Sequence, residues 1–172
     1  SVKSVRRQAS DFSARFSCTM REYKYFICTD AYKPLLMKGF CWHIPKELDL
    51  EAMRAAAAYL IGEHDFKSFC MAASAEGKST MRNVFSIDVS CEDAWGENLV
   101  VITVKGNAFL HSMVRTIVGT LVAVGLGRRR PEWIAEVLEA RNRAAAGENA
   151  PAQGLVFWNV SYEGERVHNP LK

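Results

Sequence analysis

From Phe109 to Val124 the hydrophobic residues recur at helical spacing: Phe109, Leu110, Met113, Val114, Ile117, Val118, Leu121 and Val124. Side chains three and four residues apart share one side of an α-helix, so this run predicts a helix with one broad apolar face. It follows a strand end at Lys105 and a turn through Gly106 and Asn107. Beside the apolar face, Ser112, Thr116, Gly119 and Ala123 form a stripe of small side chains, which lets another backbone or a ligand approach closely. Arg115 stands at the margin between the two, with His111 and Gly119 four residues away on either side. A buried guanidinium there needs a carboxylate or phosphate partner. From the pattern alone, a structural ion pair or a side chain that snorkels to water is the more ordinary reading.

The rest of the chain divides by the same patterning. Alternation of period two predicts strands at 12–18 and 22–29. The second puts Tyr23, Tyr25 and Ile27 on one face and Lys24, Phe26 and Cys28 on the other. Further strands are predicted at 83–90, 99–105 and 155–162, with a short apolar piece at 40–44. Asp49 caps a predicted helix over 50–61 that Gly62 ends, and Pro131 opens another to 140 at the position proline favours. Between them lie an aromatic turn at 64–69 anchored by Phe66 and Phe69, a small polar loop at 72–80 expected to be mobile, and a polar connection at 141–153. With the first strand set aside, the order is strand, helix, strand, strand, helix, strand, plus one helix before the last strand. This predicts an α+β domain of the ferredoxin-like, split βαβ plan: an antiparallel sheet with helices on one face. The domain is expected over 11–163, after a basic tail or linker stump at 1–10 and before a polar tail at 164–172.

Composition narrows the classes without choosing one. The chain has 172 residues, 49% hydrophobic and 24% charged, which suits one globular domain with a real core. A net charge of +3 points only weakly to nucleic acid. Its basic residues cluster at Lys3, Arg6 and Arg7 and at Arg128, Arg129 and Arg130. The second cluster equally suits a solvated helix C-terminus. Five cysteines stand apart from one another, giving neither metal-ligand spacing nor a disulfide framework, as in a reducing cytoplasm. No segment is long and apolar enough to span a membrane, and no signal peptide is visible. The strand at 99–105 lacks the aromatic residues of an RNA-recognition module. GLGRRR at 125–130 follows a helix, whereas an anion cradle would open one.

Gly106 to Leu121, GNAFLHSMVRTIVGTL, resembles the signature helix of the tRNA pseudouridine synthases of the TruA family. FSARFSCTMREYKYFI, GEHDFKSF and APAQGLVFWNVSY resemble other segments of that family in the same order, so that the resemblance covers roughly 12–162. The resemblance implies one of two similar halves of the pseudouridine synthase fold, in an enzyme that isomerises uridine to pseudouridine in tRNA through a covalent aspartate. The target nucleotide is then flipped from its stack. No metal or organic cofactor is implied. By position, Tyr23 is the tyrosine that stacks on the base and takes part in proton transfer. Arg115 pairs with the catalytic aspartate, and Leu155 lines the pocket beside the base. Taken alone, Tyr23 reads more readily as a core or sheet-face aromatic. The family's Arg-Thr-Asp-x-Gly motif is absent from this chain. The expectation is therefore that the chain is the C-terminal half of such an enzyme, inactive alone, whose partners are the missing N-terminal half, tRNA and a second copy in a homodimer. A stand-alone RNA-binding or assembly domain that lacks the chemistry is the alternative.

Overall fold

Strand β1, Cys18–Cys28, runs through the middle of the sheet and positions everything that follows. The computed structural model describes residues 7–71, 76–163 and 165–167, with Val2 and Val5; the side chains of 165–167 are not among the features described. Parts of the expected basic tail, of the 72–80 loop and of the polar C-terminal tail lie outside the described residues. After β1 come β2 (Trp42–His43), α1 (Leu50–Ala58), β3 (Gly62–Asp65), β4 (Met81–Ala94) and β5 (Glu97–Gly106). Then follow α2 (Met113–Gly125), α3 (Trp133–Ala140), β6 (Leu155–Tyr162) and β7 (Glu165–Val167).

The sheet order is β3-β4-β5-β1-β6-β7, with the short β2 pairing in parallel beyond the end of β6 on β1. β1 is antiparallel to both β5 and β6, and β4 is antiparallel to β5. The crossover from β1 through α1 to β4 therefore leaves β5 between two parallel strands. The crossover from β5 through α2 to β6 leaves β1 between two more. This is the split βαβ arrangement, an α+β fold with its helices on one face. Ala94 and Glu97 pair across a two-residue hairpin in which Trp95 and Gly96 both take positive φ, 55° and 85°. That turn matches the right-handed twist of the strands it joins.

On the helix-covered face, Tyr25, Ile27, Val84, Ile102 and Val104 meet Met113, Ile117 and Leu121 of α2 and Met53 of α1, all fully buried. Phe66 and Phe69, on a 3-10 turn, are also fully buried in this core, as packing residues. The opposite face carries a smaller cluster of Cys28, Cys41, Leu99 and Val101. Burial pushes the Cys41 thiol up to about 11 and raises Cys28 as well, so both are packing groups with little thiolate at neutral pH.

Two expectations need correction. Residues 12–17 form turns, and the sheet begins only at Cys18. The Ser17 hydroxyl accepts the Ser13 N–H at 3.0 Å, and the Ser17 N–H donates to the Ser13 carbonyl at 2.8 Å. Local serine bonds of this kind satisfy backbone that a strand would otherwise have to pair, which defeats the alternation of Phe12, Ala14 and Phe16. The central helix also starts later than its apolar period suggests. Ser112 sits in the left-handed region at φ 63°, so α2 begins at Met113 and leaves Phe109 and Leu110 in the preceding turn.

The small stripe on α2 accommodates backbone. A Cβ built on Gly119 would stand 1.9 Å from the Glu148 carbonyl oxygen, because residues 147–150 cross the helix there. Thr120 Oγ1 accepts the Gly147 N–H at 3.0 Å and donates to the Thr116 carbonyl at 2.7 Å. Thr116 Oγ1 reaches Asn149 Oδ1 at 3.2 Å.

Candidate active site

Arg115 is fixed by this crossing segment. Its Nε donates to the Ala150 carbonyl at 2.6 Å, and the Ala150 N–H returns a bond to the Arg115 carbonyl at 3.1 Å. Using Nε in this way sets the guanidinium plane and leaves the two terminal nitrogens without a hydrogen-bond partner among the described residues. No Asp or Glu side chain among the described residues forms an ion pair with it. Arg115 lies in the first turn of α2, where unpaired backbone N–H groups add positive potential. It lines an open cleft of about 330 Å³ with the rest of the 109–115 segment, Tyr23 of β1 and Leu155 of β6. Arg115, Tyr23 and Leu155, separated by up to 132 residues in sequence (155 − 23), thus share one cavity.

Tyr23 lies beside a β-bulge in β6. Between β1 and β6, Glu22 pairs with Asn159 but Tyr23 pairs with Phe157, so Trp158 is the extra residue. Bulges re-aim side chains in this way beside functional sites. The Tyr23 ring is held between Phe109, edge-on at 5.3 Å, and Phe157, tilted at 5.1 Å. Burial raises the Tyr23 pKa above its ordinary value, and Arg21 nearby opposes the shift. The phenol is therefore protonated at neutral pH, with its hydroxyl free of partners among the described residues.

Tyr25 has a different task two residues on. It is fully buried, and its hydroxyl donates to the Pro151 carbonyl at 2.7 Å. A Cβ on Gly154 would stand 2.6 Å from its ring. Tyr25 thus seats the 151–154 turn from which Leu155 enters the cleft. Its pKa is raised, chiefly by burial.

Phe109 lines the cleft and Phe157 flanks the Tyr23 ring, two roles left unassigned from the sequence. Phe109 has the spacing of a helix-core position, whereas Phe157, two residues beyond Leu155, shares the face of Tyr23 in unbroken register. That spacing from Leu155 is its signal in the sequence, and in the structure the ring is 54% exposed. His111 and Ser112, unassigned from the sequence, also line the cleft. Among the described residues, no group of three or more His, Cys, Asp or Glu side chains is placed to hold a metal ion, and no helix is long and apolar enough to cross a membrane. Arg130 pairs with Glu136 at 2.6 Å and Arg129 lies over the Trp133 ring at 5.2 Å, so two of the three clustered arginines lean on α3.

Fold and cleft together define a ferredoxin-like domain that offers a planar ring an aromatic wall and sets an unneutralised arginine beside it. The chain belongs to the tRNA pseudouridine synthase family, whose profile matches residues 56–163. It is 42% identical over 153 residues to tRNA pseudouridine synthase A of Bacillus pumilus, an alignment covering 88% of this chain and 60% of that protein. It is 43% identical over 161 residues to the protein of the same name from Thermotoga neapolitana, covering 94% of this chain and 64% of the relative. For the Bacillus subtilis protein of that name the figures are 38% over 164 residues, 94% and 64%. The chain spans about 60% of the length of the curated relatives it matches.

Proposed function

We propose that this chain forms one wall of the active cleft of an enzyme that isomerises uridine to pseudouridine in tRNA. The observation that carries the reading is Arg115, held by Nε on the Ala150 carbonyl and unpaired with any carboxylate among the described residues, in the cleft that Tyr23 and Leu155 line. The missing carboxylate is a catalytic aspartate from the part of the relatives' length that this chain does not span. Its negative charge would settle against the Arg115 fork and the first turn of α2. In the reaction the N1–C1′ glycosidic bond breaks, the uracil turns, and C5 bonds to C1′. The C5 proton is lost and N1 gains one, so no oxidant or cofactor is required. Tyr23 stacks on the uracil with Phe109 edge-on beside it, Leu155 closes the pocket edge, and the protonated Tyr23 hydroxyl serves as a hydrogen-bond donor. A homodimer is part of the same reading, and sedimentation of the full-length protein tests it.

Two expected results follow. The isolated chain 1–172 forms no pseudouridine on unmodified tRNA, whereas the full-length enzyme does; a positive result from the pure chain would mean that one of its own aspartates is catalytic. In the full-length enzyme, Tyr23→Ala loses base stacking worth about 1–3 kcal/mol, roughly a 10- to 100-fold drop in kcat/KM. Tyr23→Phe keeps that stacking and falls only by what the hydroxyl contributes. Equal, negligible losses for the two variants would make Tyr23 ordinary sheet packing.

A further inference from the structure

Next to the cleft lies a second cavity, of about 520 Å³, that shares Tyr23 and Phe109 with it as a common wall. Three arginines line this cavity, Arg15, Arg21 and Arg82, and no carboxylate among the described residues does. Backbone carbonyls, which leave the charge in place, hold two of the guanidinium groups. Arg21 donates through Nη1 to the Asn107 carbonyl at 2.6 Å and through Nη2 to the Arg15 carbonyl at 2.5 Å. Arg82 donates through Nη1 to the Ser79 and Met81 carbonyls at 3.0 and 2.6 Å. Its Nε is buried with no hydrogen-bond partner among the described residues. A buried guanidinium N–H left unmade is costly, and three cations around one cavity repel each other unless an anion joins them. Among the described residues, none of the three arginines forms an ion pair.

The sheet register brings these residues together. Gly106 of β5 pairs with Arg21 on one side and with Val84 on the other, which places Arg82, two residues before Val84, at the same end of the sheet. Asn107 follows directly, and its side-chain oxygen is already used by the Asn83 N–H at 3.0 Å, leaving its amide nitrogen as a further donor.

We propose that this cavity is a subsite for one backbone phosphate of the bound RNA, a phosphate next to the nucleotide whose base enters the neighbouring cleft. Arginine forks match a phosphodiester's oxygens, and a base stacked on the shared Tyr23–Phe109 wall brings its own backbone past the cavity mouth. The subsite rests on the RNA-binding part of the proposed function but not on the isomerisation. Its task is to fix the register of the strand, so that one particular base reaches Tyr23.

The test is a cycle on the full-length protein with a short uridine-containing RNA hairpin in which single phosphates are replaced, one at a time, by neutral methylphosphonates. Wild-type protein is expected to lose about tenfold in affinity at one position beside the bound uridine, the effect of one charge-assisted contact. Arg82→Gln is expected to lose about tenfold on the unmodified RNA and nothing further at that position. Its slope of log K against log salt should also fall by about 0.7, one phosphate's share for a single strand. If Arg82→Gln does not fold, Arg21→Gln takes its place in the same cycle. Losses that add independently at every position, or an unchanged salt slope, would overturn the subsite. Inorganic phosphate that saturates the site and displaces no RNA would also overturn it, by making it a free-anion site. A variant that loses thermal stability but not RNA affinity would instead pair these arginines with another part of the protein. Binding is read without turnover, so the subsite can stand with isomerisation absent, and isomerisation can stand with the subsite refuted.

Discussion

Arg115→Ala in the full-length enzyme is expected to lower kcat/KM on tRNA by roughly 10²- to 10⁴-fold. On the proposed reading, the change leaves the aspartate carboxylate desolvated in the cleft with no cation to meet it. Removing one partner of a buried pair costs about 3–5 kcal/mol, and each 1.36 kcal/mol is about tenfold in rate. A second, smaller loss comes from the Nε bond to the Ala150 carbonyl, about 1 kcal/mol of stability. Arg115→Lys separates the two effects. A lysine keeps the charge, but it cannot hold the Ala150 carbonyl and present two parallel donors to the carboxylate at once. It should therefore recover only part of the activity. If Arg115 served only to anchor 147–150, activity would follow stability in both variants. A tenfold or smaller loss in Arg115→Ala, matched by its fall in Tm, would sink the catalytic assignment.

Periodicity made much of this molecule legible. The apolar runs of β1, β5 and α2 place Tyr25, Ile102 and Ile117 in one core, and the order of elements is enough to choose the split βαβ plan. The margin position of Arg115 on α2 was visible for the same reason: a helix has one apolar face, and a charge at its edge is conspicuous. What stayed hidden depends on departures from period. Ser112 in the left-handed region ends the helical repeat before Phe109, so a ring that fits the core pattern instead packs against Tyr23. The bulge at Trp158 breaks the alternation of β6 just beyond Phe157, so counting by twos from Phe157 puts Asn159 and the residues after it on the wrong face. Arg21 and Arg82 are 61 residues apart (82 − 21) and meet only through the register on Gly106. Non-local register is the quantity a single sequence specifies most weakly, since a slip of one residue exchanges the two faces of a strand. Phe12 to Ser17 shows the converse: an alternating pattern overridden by the local bonds of two serines.

Gly119→Ala is the substitution expected to cost most stability, although local helix propensity favours it. In an exposed helix interior, alanine stabilises by about 0.8–1.0 kcal/mol over glycine. Here the added methyl would stand 1.9 Å from the Glu148 carbonyl oxygen, a backbone atom with no rotamer to move. Either α2 shifts or the 147–150 crossing lifts away. Lifting it breaks the Gly147–Thr120, Thr116–Asn149 and Arg115–Ala150 bonds, each worth about 1 kcal/mol. Bond loss and overpacking together outweigh the propensity gain, for a net destabilisation of about 2–4 kcal/mol. For a domain of this size that is roughly a 5–15 °C fall in Tm. The loss carries into the cleft, because the Ala150 carbonyl that orients Arg115 moves with the crossing segment. Full-length Gly119→Ala should therefore lose activity at temperatures where it is still folded, although residue 119 does not line the cleft. Calorimetry on the variant decides the matter: a Tm equal to or above that of the parent protein would mean that no backbone crosses α2 at Gly119, and that Arg115 is held in some other way.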